Sequence, residues 1–163
     1  MNESTERANY DFSEWKKNAF PAWLKQFKSG PGVGEFSYKI GGPTSFYGTT
    51  DTLISLYTLN QLDLNEEQKD QWAATINQFQ DPKTGWYNKQ YTLHYKEHRT
   101  AYAVAALHLI DRKPAHPLTA IHKIAEGGKK RWKRWIKHPN WSFIWATSHV
   151  ISGGPAALAM ADG

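Results

Sequence analysis

The chain has 163 residues, with 20 Lys and Arg against 15 Asp and Glu, a net charge of +5 and no cysteine. The missing cysteines exclude disulfides, thiolate zinc sites and cysteine nucleophiles. Aromatics at 14%, with 8 Trp, argue against disorder, and the length suits one domain with a real core. The basic balance favours anionic partners without naming one. No run is long enough to span a membrane, and Met1 to Arg7 lacks the pattern of a signal peptide, so a soluble cytoplasmic chain is expected.

Residues 1–12 read as a flexible N-terminal segment and 13–163 as one helical domain. A leading helix from about Ser13 meets Pro21, a residue suited to a first helical turn, and Phe20, Leu24 and Phe27 share one face. A turn phrase follows from Phe27 to Phe36, and then an apolar helical run from Thr52 to Leu59. Asn65 with Gln68 three residues on predicts a capping box, and Trp72, Ile76 and Phe79 line one side of the helix it opens. The turn phrase returns at Phe79 to Tyr87, followed by Ala101 to Ile110, which is apolar almost all round and therefore reads as buried.

The third cycle places Leu118, Ile121 and Ile124 before a break at Gly127-Gly128, then Trp132, Trp135 and Ile136 facing inward on a helix whose other residues are basic. A final inner helix is predicted from about Ile144 to Met160, kinked or interrupted at Gly153-Gly154-Pro155. Its Ala156 to Met160 echoes Ala105 to Leu109 with an offset of 51 residues. The chain therefore repeats a unit of roughly 50 residues about three times, alternating outer amphipathic and inner buried helices. Such a unit buries its apolar face only against neighbours.

The phrase from Trp72 to Trp86, with Gln80, Gly85 and Trp86, resembles the Gln/Trp repeat of the squalene cyclase and prenyltransferase superfamily. The segment from Glu97 to Ala103 is similar to an inner-helix start in those toroids, an architecture shared with heparinase- and alginate-lyase-type enzymes. The resemblance implies an all-α fold, an incomplete α/α toroid of about three outer–inner hairpins. Full toroids have about twice as many helices, so the chain is expected to be half of a larger toroid, completed by a second copy or by a missing C-terminal half.

In toroids the pocket lies where outer-to-inner loops meet the inner-helix starts. There the sequence offers Tyr47, Thr49, Thr50 and Asp51, then His94, His98, Arg99 and Tyr102, then Asn140, Trp141, Ser142, Trp145 and His149. Elimination from a uronate polymer needs a base, a proton donor and a group that neutralises the carboxylate. His98, Tyr102 and His149 are the catalytic candidates. Arg99, Asn140, Trp141, Trp145, Asp51 and Tyr47 are the substrate-binding ones. The expected function is that of a polysaccharide-lyase-like, glycan-active segment with an anionic glycan or small molecule as ligand. An apolar-ligand protein of the cyclase type and a non-catalytic repeat scaffold are the alternatives. The acidic motifs of terpenoid cyclases and the cysteine of protein prenyltransferases are absent from the sequence.

His94 to His98 matches H-x-x-E-H formally, and on a continuous helix both imidazoles would share a face. No third ligand is evident and the segment sits at a loop-to-helix junction, so no metal and no cofactor is expected. The basic run Lys129 to His138 reads as the wet face of an outer helix, and nucleic acid is not expected as a partner.

Overall fold

The computed structural model describes residues 11–90, 92–137 and 143–162. A π-helical turn, Trp15–Ala19, leads into α1 (Phe20–Lys25), followed by α2 (Phe46–Thr58), α3 (Glu66–Asn77), α4 (Lys96–His108), α5 (Thr119–Glu126), α6 (Gly128–Lys137) and α7 (Ile144–Asp162). Among the described residues the fold is all-helical, and its β-type pairing is confined to two isolated bridges, Lys28 with Phe36 and Gln80 with Tyr87.

Those bridges fall in the two related turn phrases and close them alike. Ser37 N–H donates to the Phe27 carbonyl and Lys89 N–H to the Phe79 carbonyl. Within the phrases, Ser29 N–H donates to Glu35 and Asp81 N–H to Trp86. The second turn is stitched to the chain ahead of α5 by Gln80, which is fully buried. Its amide nitrogen donates to the Gly85 and His116 carbonyls at 3.1 and 2.8 Å, while its oxygen accepts from His116 N–H at 2.9 Å. Gly85 permits the approach: its φ is +79°, and a Cβ there would stand 2.3 Å from the Pro117 carbonyl oxygen.

The central element is α4, which packs against α2, α3 and α7, while α5 lies on α7. One side of α4, with Ala103, Ala106 and Leu107, together with Ile110 just past its end, closes a core around Phe46, Leu53, Trp72, Ile76 and Tyr87. The other side offers Val104 to a second core with Trp86, Leu118, Ile121 and Ala157. Full burial of a side chain such as Leu53 or Ile76 stabilises by about 1.5–3 kcal/mol. The alanines set how close the helices come. At Gly153 a Cβ would lie 2.6 Å from the carbonyl carbon and oxygen of Glu97 and 2.9 Å from His98 N, so α7 meets α4 backbone to backbone.

The Asn65–Gln68 capping box forms as read from the sequence. Elsewhere the structure departs from the reading. α2 starts at Phe46 rather than near Thr52, because Ser45 caps it, accepting from Gly48 N–H, and Gln90 Oε1 accepts from Phe46 N–H at 2.7 Å. α7 runs through Pro155 uninterrupted. Pro155 is exposed, so the lost backbone bond falls on the solvent side while the buried glycine side stays packed. Ile136 does not face inward and is 43% exposed. Instead Trp135 anchors α6, stacking on Trp86 at 6.2 Å and donating its indole N–H to the Val150 carbonyl, and one residue further the helix has turned about 100° away. Trp132 is half-buried.

Candidate functional site

A cavity of about 650 Å³ opens where the N-terminal ends of α2 and α4 meet. α2 contributes Tyr47 and Asp51, spaced one turn apart. α4 contributes His98 and Tyr102, also one turn apart. The loop ahead of α4 adds Gln90, Thr92, Leu93 and His94, and Tyr38 and Ser45 complete the wall. A second hollow of about 270 Å³ lies toward α7 and is lined by His149, Ser152 and Gly153. His98 and Tyr102 line both, so the two spaces meet at these side chains.

Register explains the grouping. Tyr47, His98 and His149 follow one another at intervals of 51 residues, and so do Asp51, Tyr102 and Gly153. α2, α4 and α7 thus bring matching sequence positions to one place, and α7 has a glycine where α2 and α4 carry Asp and Tyr. The close α4–α7 approach at Gly153 carries His149, one turn earlier, onto His98, with ring centroids 4.4 Å apart.

Three imidazoles assemble there. His94 stacks on His98 at 4.8 Å and lies 5.5 Å from His149. One ring nitrogen from each can be chosen so that all three lie within 4.8 Å of one another. His98 Nδ1 is 3.1 Å from the Tyr47 hydroxyl. Nδ1 of His94 and Nδ1 of His149 are buried and have no hydrogen-bond partner among the described residues. Burial, then the neighbouring His149 and His94, push the His98 imidazole down to about 4, and burial lowers His149 as well. At neutral pH both rings are therefore uncharged.

Beside them, the Tyr102 hydroxyl donates to the Asp51 carboxyl. Burial lifts Asp51 above the ordinary carboxylate range, and burial with the Asp51 charge lifts Tyr102 to about 12. The pair therefore holds its proton on the phenol while Asp51 is unusually ready to accept one. Tyr47 is also raised by burial, and packs edge-on against His94.

Of the residues proposed from sequence, Tyr47, Asp51, His98, Tyr102 and His149 come together. Trp145, 57% exposed, lies edge-on against His149 at 4.4 Å. Arg99 points elsewhere: it is buried, and its guanidinium donates to the Gln90 carbonyl. Because the Gln90 side chain accepts from Phe46 N–H, Arg99 ties α4 to the start of α2 and shapes the cavity wall without entering it. No Lys or Arg is among the described lining residues. Thr49 and Thr50 are wholly buried, and Asn140, Trp141 and Ser142 lie outside the described residues. Trp86 and Tyr87, at the end of the second turn phrase, are core residues.

His94 precedes α4, beyond its N-cap Tyr95, so it meets His98 by loop geometry rather than by helical spacing. Glu97 of the H-x-x-E-H match does not line the cavity; it is buried and pairs with Lys96 Nζ at 2.9 Å. The sequence reading named His149 as catalytic but did not join it to His94 and His98 as a third imidazole, although the 51-residue offset from His98 to His149 was the signal for it. Comparison with known proteins finds no matching family model, no matching curated protein and no matching solved structure.

Proposed function

We propose that this chain carries a glycan-active site of polysaccharide-lyase type, acting on an acidic sugar unit within a toroid-like set of three outer–inner hairpins. The observation that carries the reading is the Tyr102–Asp51 proton-sharing pair opposite the imidazole cluster, in one cavity large enough for a sugar residue. Two exposed rings near its mouth, Tyr38 and Trp145, suit stacking on sugar faces. The matched turn closures and the 51-residue register support the repeat architecture.

In this reading the substrate carboxylate sits at the imidazole face. Tyr102 oxygen takes the proton from the carbon alpha to that carboxylate as its own proton passes to Asp51. The electron pair freed at carbon forms the new double bond, and the glycosidic C–O bond at the next carbon breaks. The leaving oxygen takes up the proton held by the pair. His98 and His149, proposed from sequence as catalytic, contact the carboxylate end instead, because burial depresses both imidazoles, His98 to about 4, and makes them weak proton acceptors. The titratable lining argues for this over a purely apolar ligand.

The test is incubation of the chain with a panel of uronate polymers, following the ultraviolet absorbance of the unsaturated product. Turnover by the wild type, with at least a hundredfold loss in Tyr102→Phe and Asp51→Asn at unchanged helicity, is the expected result. No product from any acidic polymer, or full activity in both variants, sinks the reading.

A further inference from the structure

We propose that His94, His98 and His149 form a binding site for one divalent transition metal ion, of which zinc is the test case. The lyase reading sharpens the need for such an ion without being required for it. A carboxylate at the imidazole face calls for positive charge, Arg99 does not reach the cavity, and no other Lys or Arg is among its described lining residues.

The chemistry of the donors fits. A zinc ion takes neutral imidazole nitrogens at about 2.0–2.1 Å, and three such ligands with an open fourth position make a site able to accept substrate or water. Nitrogens on one tetrahedral zinc stand about 3.3 Å apart. From a spread of at most 4.8 Å, closure needs side-chain torsions but no change of helix. Two of the three residues already carry a buried ring nitrogen with no hydrogen-bond partner among the described residues, a state that costs free energy unless something fills it. The third has its second nitrogen oriented: Tyr47 hydroxyl holds His98 Nδ1, the kind of outer contact that fixes a ligand ring.

Geometry adds an independent argument. The ligands come from the loop ahead of α4, from α4 itself and from α7, so the ion would cross-link the helix pair whose approach depends on Gly153. Asp51, Tyr47, Tyr102 and Trp145 are the polar and aromatic groups that face the cluster from the neighbouring elements. Asp51, lying on the cavity side, is placed to balance the charge of the ion.

The experiment uses the untagged full chain, stripped with chelator and titrated with Zn²⁺ by calorimetry, with Co²⁺ absorption as a second readout. One ion per chain, a Co²⁺ spectrum of the low-coordinate type, and a loss of affinity of about 100-fold or more in His94→Ala and His149→Ala are expected. His108→Ala, altering an exposed histidine at the far end of α4, should leave affinity unchanged. If a variant fails to fold, the wild-type Co²⁺ spectrum still decides. Absence of stoichiometric binding, an octahedral spectrum characteristic of water and surface ligands, or equal affinity in His94→Ala and His149→Ala overturns the site. Tight binding without eliminating activity leaves the metal site and removes the lyase reading. Eliminating activity in a chain that binds no metal does the reverse.

Discussion

Gly153→Ala is the most demanding perturbation the structure offers, because it adds one methyl group where two backbones touch. The new Cβ would stand 2.6 Å from the Glu97 carbonyl, whereas non-bonded carbons rest about 3.5–4.0 Å apart. The helices must therefore part by about 1 Å. Overpacking of this kind costs about 1–3 kcal/mol, and parting also loosens the buried Ala146, Ala157 and Val104. Alanine's better helix propensity returns about 1 kcal/mol. The net expectation is a loss of about 2 kcal/mol, or about 4–8 °C in Tm for a chain of this size. Thermal and urea unfolding followed by circular dichroism read it out. The adjacent Gly154→Ala is the comparison: its Cβ would meet Trp135 at 3.4 Å, an ordinary contact. There the propensity gain and crowding against Pro155 oppose each other, so stability should stay within about 1 kcal/mol. If Gly153→Ala is as stable as wild type, or the two variants fall equally, the backbone contact is not what sets the α4–α7 distance.

Gly85→Ala should cost about 3 kcal/mol, since a left-handed φ of +79° and a 2.3 Å clash with the Pro117 carbonyl act together; a Tm within about 3 °C of wild type contradicts this. Saturating zinc at about 100 times its Kd should stabilise the folded chain by about 2.7 kcal/mol, raising Tm by about 5–10 °C in wild type and by much less in His149→Ala, as read by differential scanning calorimetry. Equal shifts in the two would show that the ion stabilises through some other place. Acid should weaken the α3 surface network. Hydrogen bonds from Lys69 and Arg112 hold Glu66 below its ordinary value, so its contribution is present above about pH 4.5 and fades as pH falls through the depressed value. Glu66→Gln should thus melt below wild type at neutral pH and converge with it as pH falls through the depressed Glu66 value; a gap that persists undiminished in acid would falsify the ionic account.

Much of this was legible in the sequence where the controlling interactions are local. Asn65 and Gln68 specify a cap by their spacing alone. The two turn phrases announce one geometry twice, and both close with the same backbone bonds. Tyr47, Asp51, His98 and Tyr102 could be grouped by their 51-residue spacing, and they line one cavity at the starts of α2 and α4. Illegible features depend on distant partners. The early start of α2 is supported by Gln90, 44 residues away, and Arg99 is turned out of the cavity by the carbonyl of that same residue. Continuity of α7 through Gly-Gly-Pro comes from packing on α4, which local propensity does not encode. His94 joins the cluster through the path of a loop.

The Tyr47–His98 contact leads to one more consequence. A phenol oxygen and an imidazole nitrogen 3.1 Å apart share a single hydrogen, and either partner can own it. When the hydroxyl donates, His98 turns an N–H toward its surroundings and greets an anion. When the ring donates instead, its other nitrogen exposes a lone pair and greets a cation. Two opposite kinds of guest are thus served by one residue through a tautomer change, with no heavy atom displaced and no net charge created.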